Sequence, residues 1–208
     1  CSFSANKFLT SIDLPNTLVT MGVNAFLDAV SLQTVTVGTG LNSWGAQSFT
    51  RNRLLTSFTI DPSNASFTST DGIAYNKNKT RLVAYPIGNA LTSYTSPTSA
   101  TTTEQALFVN SVNLLTANLS SVATLDAQVF MDSAIKEVTL GNSLSAIPVQ
   151  TFQNARVLER VTFGTGLTSI DPNGFFNNFK LNCIVYPGSN ATIQNFTYPN
   201  SVVPVANS

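Results

Sequence analysis

No histidine occurs anywhere in the 208 residues, and cysteine appears only twice, at Cys1 and Cys183. The first absence removes the commonest general base, triad member and transition-metal ligand. The second leaves two thiols with neither a His partner nor close spacing, which argues against nucleophilic or zinc chemistry. Charge is scarce too. Only 10% of residues are charged, against about a quarter in an ordinary chain. Ten Lys and Arg balance ten Asp and Glu, with a pI near 6.4. Such a chain lacks the basic excess by which nucleic acid or an anionic membrane is gripped. No apolar run approaches the roughly 20 residues that cross a bilayer, so no membrane insertion by this segment is expected. No charged stretch followed by an apolar one opens the chain, so any signal peptide is expected to lie outside it.

What the sequence has instead is Ser, Thr and Asn around a 43% hydrophobic content. That composition suits an extracellular surface. The ten carboxylates are scattered, and a glycosidase needs two converging across roughly 5–10 Å. Asp13 and Asp171 fall on different repeats, so nothing recommends them as a pair. No catalytic residue, cofactor-binding residue or metal ligand is assigned, and no cofactor is expected. Asp71-Gly72 with Asn76 and Asn78 lacks the alternating oxygens and terminal Glu of a calcium loop, and a turn entering a hairpin is the better reading. Asn-x-Ser/Thr triplets stand at Asn64, Asn78, Asn118, Asn190 and Asn195. A chain this rich in Asn, Ser and Thr acquires such triplets by chance.

The dominant signal is a repeat. Val35 to Phe49 reads VTVGTGLNSWGAQSF and Val161 to Phe175 reads VTFGTGLTSIDPNGF, with eight of fifteen positions identical. Around them the pattern L-x-x-φ-x-φ, with φ apolar, opens at Leu9, Leu32, Leu55, Leu114, Ile135, Leu158 and Leu181. Four of the steps are 23 residues. A Phe stands six residues before six of the openers (Phe3, Phe26, Phe49, Phe108, Phe152, Phe175), and Phe130 stands five before Ile135. A fixed period in the twenties is the mark of a solenoid. In each coil the fourth and sixth positions share the inner face of a short strand, because strand side chains alternate. Gly or Pro then breaks the strand, a second apolar pair crosses the core, and the Phe closes the coil. At a fixed coil position beside Ala, the Phe residues read as core packing and not as a ligand track.

LTSIDLPNTLVTMGVNAF, from Leu9 to Phe26, resembles the 23-residue unit of the BspA-like, or Treponema-type, leucine-rich repeat family, LxxLxLPxxLxxIGxxAFxxCxx. SFTSTDGIAYNKNKTRLVAYP, from Ser66 to Pro86, resembles that family's inserted hairpin. The family's recurrent Cys, three residues after the Phe, is replaced by Ala29, Ser133 and Ala155, and the coil around Leu114 is short. The fold expected is therefore a repeat solenoid, a right-handed leucine-rich-repeat superhelix dominated by short β-strands. It has about eight coils, some 40 Å of stacked strands, and one inserted β-hairpin. A single domain is expected over 1–208, with the hairpin at 66–86, an irregular and mobile Ser/Thr-rich connection at 87–107, and a C-terminal cap at 182–208. Phe3 implies a half-coil upstream. Cys1 and Cys183 fall at opposite ends, beyond the roughly 7 Å Cα separation a disulfide tolerates, so no bridge between them is expected. Ser2-Phe3 is already in phase with a repeat and leaves no tether for a lipid anchor at Cys1, which reads as a processing boundary.

The candidate site is the row of outward strand positions. They are Thr10, Ser11 and Asp13; Gln33, Thr34 and Thr36; Thr56, Ser57 and Thr59; Lys136, Glu137 and Thr139; and Glu159, Arg160 and Thr162. In register Lys136 faces Glu159 and Glu137 faces Arg160, cross-strand pairs worth about 0.2–1 kcal/mol each. Thr is favoured on half-exposed strands whatever the function; the alternative is a flat, hydroxyl-rich binding surface of the kind solenoids present. The resemblance implies a secreted or cell-surface, non-catalytic module whose stacked-strand face binds proteins, as in adhesion to host matrix or cell-surface proteins. The alternative is a passive structural spacer within a larger surface protein.

Overall fold

The computed structural model describes residues 3–187 and the strand Pro204–Ala206. Among these residues the regular structure is all β, without a helix. In chain order the first strands are β1 (Ser11–Leu14), β2 (Thr20–Met21), β3 (Thr34–Val37), β4 (Ser43–Trp44) and β5 (Ser57–Ile60). The insertion contributes β6 (Phe67–Thr70), β7 (Ile73–Asn76) and β8 (Arg81–Ala84). Next come β9 (Ser93–Thr95), β10 (Thr102–Thr103), β11 (Thr116–Leu119), β12 (Glu137–Leu140) and β13 (Ala146–Ile147). The last are β14 (Arg160–Thr162), β15 (Ser169–Ile170), β16 (Cys183–Tyr186) and β17 (Pro204–Ala206).

Two parallel ladders carry the solenoid, β1-β3-β5 and β9-β11-β12-β14-β16-β17. Ser11 lies opposite Thr34 and Thr34 opposite Ser57, so one coil is 23 residues. Thr116 pairs with Glu137, a 21-residue step that accounts for the short coil around Leu114. Alternation does the rest. On β3 the side chains of Val35 and Val37 are buried while Thr34 and Thr36 are exposed. The duplicated Gly-Thr-Gly has a geometric cause. A Cβ on Gly40 would lie 2.0 Å from the Asn16 carbonyl oxygen, and one on Gly166 would lie 2.0 Å from that of Asn142. The intervening Thr39 and Thr165 amides donate to the same two residues' Oδ1 atoms, at 2.9 and 3.1 Å. Each of these two coils thus rests on an Asn of the coil before it.

Opposite the strands, the Phe residues stack. Phe3, Phe26 and Phe49 form one column, with centroids 5.2 and 5.0 Å apart. Phe108, Phe130, Phe152 and Phe175 form another, at 5.0, 5.4 and 4.9 Å. Left-handed residues flank most of these Phe residues, such as Asn24 (φ 56°) and Asp28 (φ 58°) around Phe26, and Gln128 (φ 63°) and Asp132 (φ 55°) around Phe130. Asn and Asp tolerate this conformation better than most residues do. The alternation turns the amides of one coil toward the carbonyls of the next: Phe26 N–H donates to Ser48 O, Phe130 to Thr151 O and Phe152 to Gly174 O, each at 2.8 Å.

The expected hairpin is present as the antiparallel pair β7-β8, and β6 extends it into a three-stranded meander. Asp71 (φ 52°) and Gly72 (φ 77°) form its first turn, with two positive φ values as in the type I′ turns that suit hairpins. The Ser/Thr-rich stretch 87–107 is not an irregular connection. Its Ser93–Thr95 pairs with β11 in the main ladder, and its Thr102–Thr103 pairs with β8. Within 182–208, Cys183–Tyr186 is a full rung against β14, and β17 adds a further parallel strand; the rest of that segment lies outside the described residues. Cys183 is a free, half-buried thiol, and Cys1 also lies outside the described residues.

The meander is a slab between two cores. Ile73, Tyr75 and Leu82 join the cluster of the later coils, while Ala74 and Val83 join that of the earlier ones. Period-two alternation places successive side chains on opposite faces, and here both faces are apolar.

Asparagine plugs fix the turns. Asn64 is fully buried. Its Nδ2 donates to the carbonyls of Gly38 (2.8 Å) and Leu41 (3.0 Å), and its Oδ1 accepts from Ser66 and Phe67 amides. Asn178 likewise bridges the carbonyls of Phe152 and Ala155. Asn52 is equally buried, yet neither of its polar atoms has a partner. Asn64→Ala is expected to cost about 2–3 kcal/mol in urea unfolding, because it orphans buried main-chain groups. Asn52→Ala should be near neutral or stabilising. The full set of bonds at Asn64 also leaves no room for a glycan there.

Candidate protein-binding face

The strand face is built by rule from the coil. Inward positions carry the core, so outward positions are free to vary, and the ladder holds them about 4.8 Å apart from rung to rung. Thr10, Ser11, Asp13, Gln33, Thr34, Thr36, Thr56 and Thr59 are exposed, and Ser57 is half-exposed. Ser11, Thr34 and Ser57 form one row, and Asp13, Thr36 and Thr59 form the next. On the second ladder Lys136, Glu137 and Arg160 are exposed, while Thr139, Glu159 and Thr162 are half-exposed. Thr139 lies opposite Thr162, and Glu137 opposite Arg160.

The face also has members that the sequence reading passed over. Ser93 and Thr95 are exposed, Thr116 and Asn118 are half-exposed, and Ser93 aligns with Thr116 as Thr95 does with Asn118. The signal was present: Ser93 lies one 23-residue step before Thr116, and Ser93-Tyr94-Thr95 alternates polar, apolar, polar. Between the two ladders the edge of β5 meets the Asp71-Gly72 turn, where Phe58 N–H donates to Gly72 O at 2.9 Å. A Cβ on Gly72 would lie 2.9 Å from that of Ser57. Asn89 Nδ2 ties the turn in place through Thr56 O (3.2 Å) and Asp71 O (3.1 Å). The insertion therefore adds exposed Asp71 to this face.

The anticipated charge pairs are in register but do not close. Among the described residues the ion pairs are Arg51–Asp28 at 3.6 Å and Arg81–Glu104 at 2.5 Å. Lys136 and Glu159 meet only through the main chain, Glu159 N–H to Lys136 O at 2.8 Å. Long, solvated side chains gain too little from pairing to be held together. The face is consequently a sheet of hydroxyls and amides with dispersed charge, suited to hydrogen bonding over an extended area.

The other feature is a break behind the face. Gln47, Phe49 and Arg51 are the equivalents of Asn24, Phe26 and Asp28, but their amides donate to no group, and the carbonyls of Gln105, Leu107 and Val109 accept none. A cleft of about 30 Å³, lined by Gln47 and Phe49 on one side and by Gln105, Leu107 and Val109 on the other, lies there. Phe49 turns to Phe58, and Phe108 packs on Tyr85. Burial pushes the Tyr85 phenol up to about 12, and its hydroxyl has no protein partner. Burial also raises the Glu104 carboxyl above its ordinary range, although Arg81 beside it pulls the other way. The Arg81 and Glu104 side chains pair with each other. No three His, Cys, Asp or Glu side chains among the described residues cluster as a metal site.

The sequence profile described as "BspA type Leucine rich repeat region" matches six copies, over residues 1–86 and 84–203. No curated protein sequence matches the chain. Solved structures share the fold. "Pneumococcal vaccine antigen PcpA" is similar at 19% identity and a TM-score of 0.66, over 96% of this chain and 63% of that one. A leucine-rich repeat protein from Eubacterium ventriosum gives 18% identity and a TM-score of 0.69, over 92% of this chain and 61% of its own. A leucine rich cell surface protein from Faecalibacterium prausnitzii gives 17% identity and 0.61, over 92% and 63%. The chain thus spans somewhat less than two thirds of the length of these structures.

Proposed function

The chain belongs to the BspA-type leucine-rich repeat family, and from that membership we propose that it is a non-catalytic protein-binding module, secreted or displayed on a cell surface. Its stacked-strand face is the binding surface, and adhesion to a host matrix or cell-surface protein is the activity. The observation that carries this reading is the row of exposed Ser, Thr and Gln side chains held in strict register on β1, β3 and β5. A rigid ladder presents these groups without the ordering cost that a flexible loop would incur. Similar folds in a vaccine antigen and in a cell surface protein support the location.

The test is binding of the purified chain to a panel of immobilised matrix proteins. Beside it runs a variant carrying Thr34→Lys, Thr36→Lys, Thr59→Lys and Thr162→Lys, with folding checked by circular dichroism. Binding by the parent and at least tenfold weaker binding by the variant are expected. If neither chain binds any protein of the panel, the Thr rows express strand propensity alone, and the spacer account replaces this one.

A further inference from the structure

The chain's overall neutrality hides a lopsided edge. The two positions between the buried Phe-side turn and the strand opener are exposed or half-exposed on most coils. They hold Lys7-Phe8, Val30-Ser31, Arg53-Leu54, Val112-Asn113, Ala134, Arg156-Val157 and Phe179-Lys180. Several of the apolar members are bare. Phe8 is 90% exposed, Leu54 52%, Val112 58% and Phe179 71%. Single exposed apolar residues need no explanation, but here they recur at one coil position, with an interruption at buried Asn89 before Leu91. Four of the ten cations stand in this row, and none of the ten acids does. Lys7, Arg53, Arg156 and Lys180 are all exposed, and none of their side chains forms an ion pair or hydrogen bond.

Alongside, a shallow groove of about 310 Å³ is lined by Val112, Ala134, Arg156, Val157, Asp132 and Asn154. Asp132, its carboxylate, already accepts from Asn154 Nδ2 at 3.0 Å. Unpaired cations interleaved with bare apolar side chains complement a segment that carries carboxylates and apolar groups together. Opposite charge sets orientation and rate of encounter, and apolar contact supplies affinity. We infer that this edge, running along the side of the strand face, docks an acidic, apolar-studded peptide segment of the partner protein. The inference rests on the protein-binding reading above and names the partner's chemistry.

The probe is a fluorescent peptide of repeating Glu-Phe-Glu-Ser units, beside versions with Lys for Glu and with Ser for Phe. Fluorescence anisotropy with the full chain should show binding of the first peptide only, weakening as salt shortens the reach of the charges. An edge variant carries Lys7→Glu, Arg53→Glu, Arg156→Glu and Lys180→Glu; a face variant carries Lys136→Glu and Arg160→Glu. At least a tenfold loss is expected in the edge variant, with less than a threefold change in the face variant. Equal binding of the Lys peptide, or an unchanged edge variant, overturns the inference. So does edge-dependent binding to phosphatidylserine vesicles without peptide binding, since a membrane is then the occupant. Loss in the face variant alone keeps the strand-face reading and rejects the edge.

Discussion

Phe152→Ala is expected to lower the stability of the chain by about 3–5 kcal/mol, among the largest single effects available in this fold. The ring is fully buried and lies between Phe130 at 5.4 Å and Phe175 at 4.9 Å, nearly parallel to both. Truncation removes its own burial, opens a cavity and ends two stacking contacts worth roughly 0.5–1.5 kcal/mol each. In a solenoid each coil touches only its neighbours, so the loss is local to the later coils. Trp44 packs against the earlier core. Urea unfolding followed by circular dichroism should therefore shift more than unfolding followed by Trp44 fluorescence. Equal shifts by both probes would show the two cores unfolding as one. Phe3→Ala, at a ring 41% exposed with one stacking neighbour, should cost far less.

Gly166→Ala is the second large effect. The added Cβ would lie 2.0 Å from the main-chain oxygen of Asn142 and 3.3 Å from that of Leu144. Backbone cannot swing aside as a side chain can, so the two coils must separate, at a cost of at least about 2–3 kcal/mol. Gly40→Ala repeats the experiment on the other copy of the duplicated segment, against Asn16. Gly22→Ala is the control, since its Cβ meets nothing within 4 Å. There the change should be neutral, or stabilising by about 0.4–1 kcal/mol through the unfolded chain. Thermal denaturation of the three variants reads the contrast directly. Matching losses at Gly22 and Gly166 would mean that propensity, and not coil contact, keeps these glycines.

The repeat was legible because every coil solves the same packing problem with the same residues. Leu32, Val35, Val37 and Phe26 occupy positions that Leu158, Val161, Phe163 and Phe152 occupy again, and all eight are buried. The outward candidates followed from the apolar spacing of the repeat, and each is exposed or half-exposed. What escaped were elements that depart from the aliphatic code. β9 has Tyr94 inward where most other rungs have Val or Ile, and Leu91, its opener, has no Phe six residues before it. The meander's first strand, Phe67–Thr70, is mostly Ser and Thr and reads as a loop until its partner is known. The charge pairs failed differently. Register is a backbone property that the spacing determines, whereas contact between exposed Lys and Glu depends on side-chain freedom that spacing does not record.

Among the described residues the chain is a stack of coils whose Phe-side amides are closed by the next described coil, except at the insertion. Hydrogen exchange read amide by amide tests this. Phe26, Asp28, Phe130 and Phe152, each donating to the following coil, should exchange at least a hundredfold more slowly than Phe49 and Arg51. Equal protection at Phe49 and Phe26 would mean that the coils stack without a break. The division into two ladders joined by the meander would then be wrong.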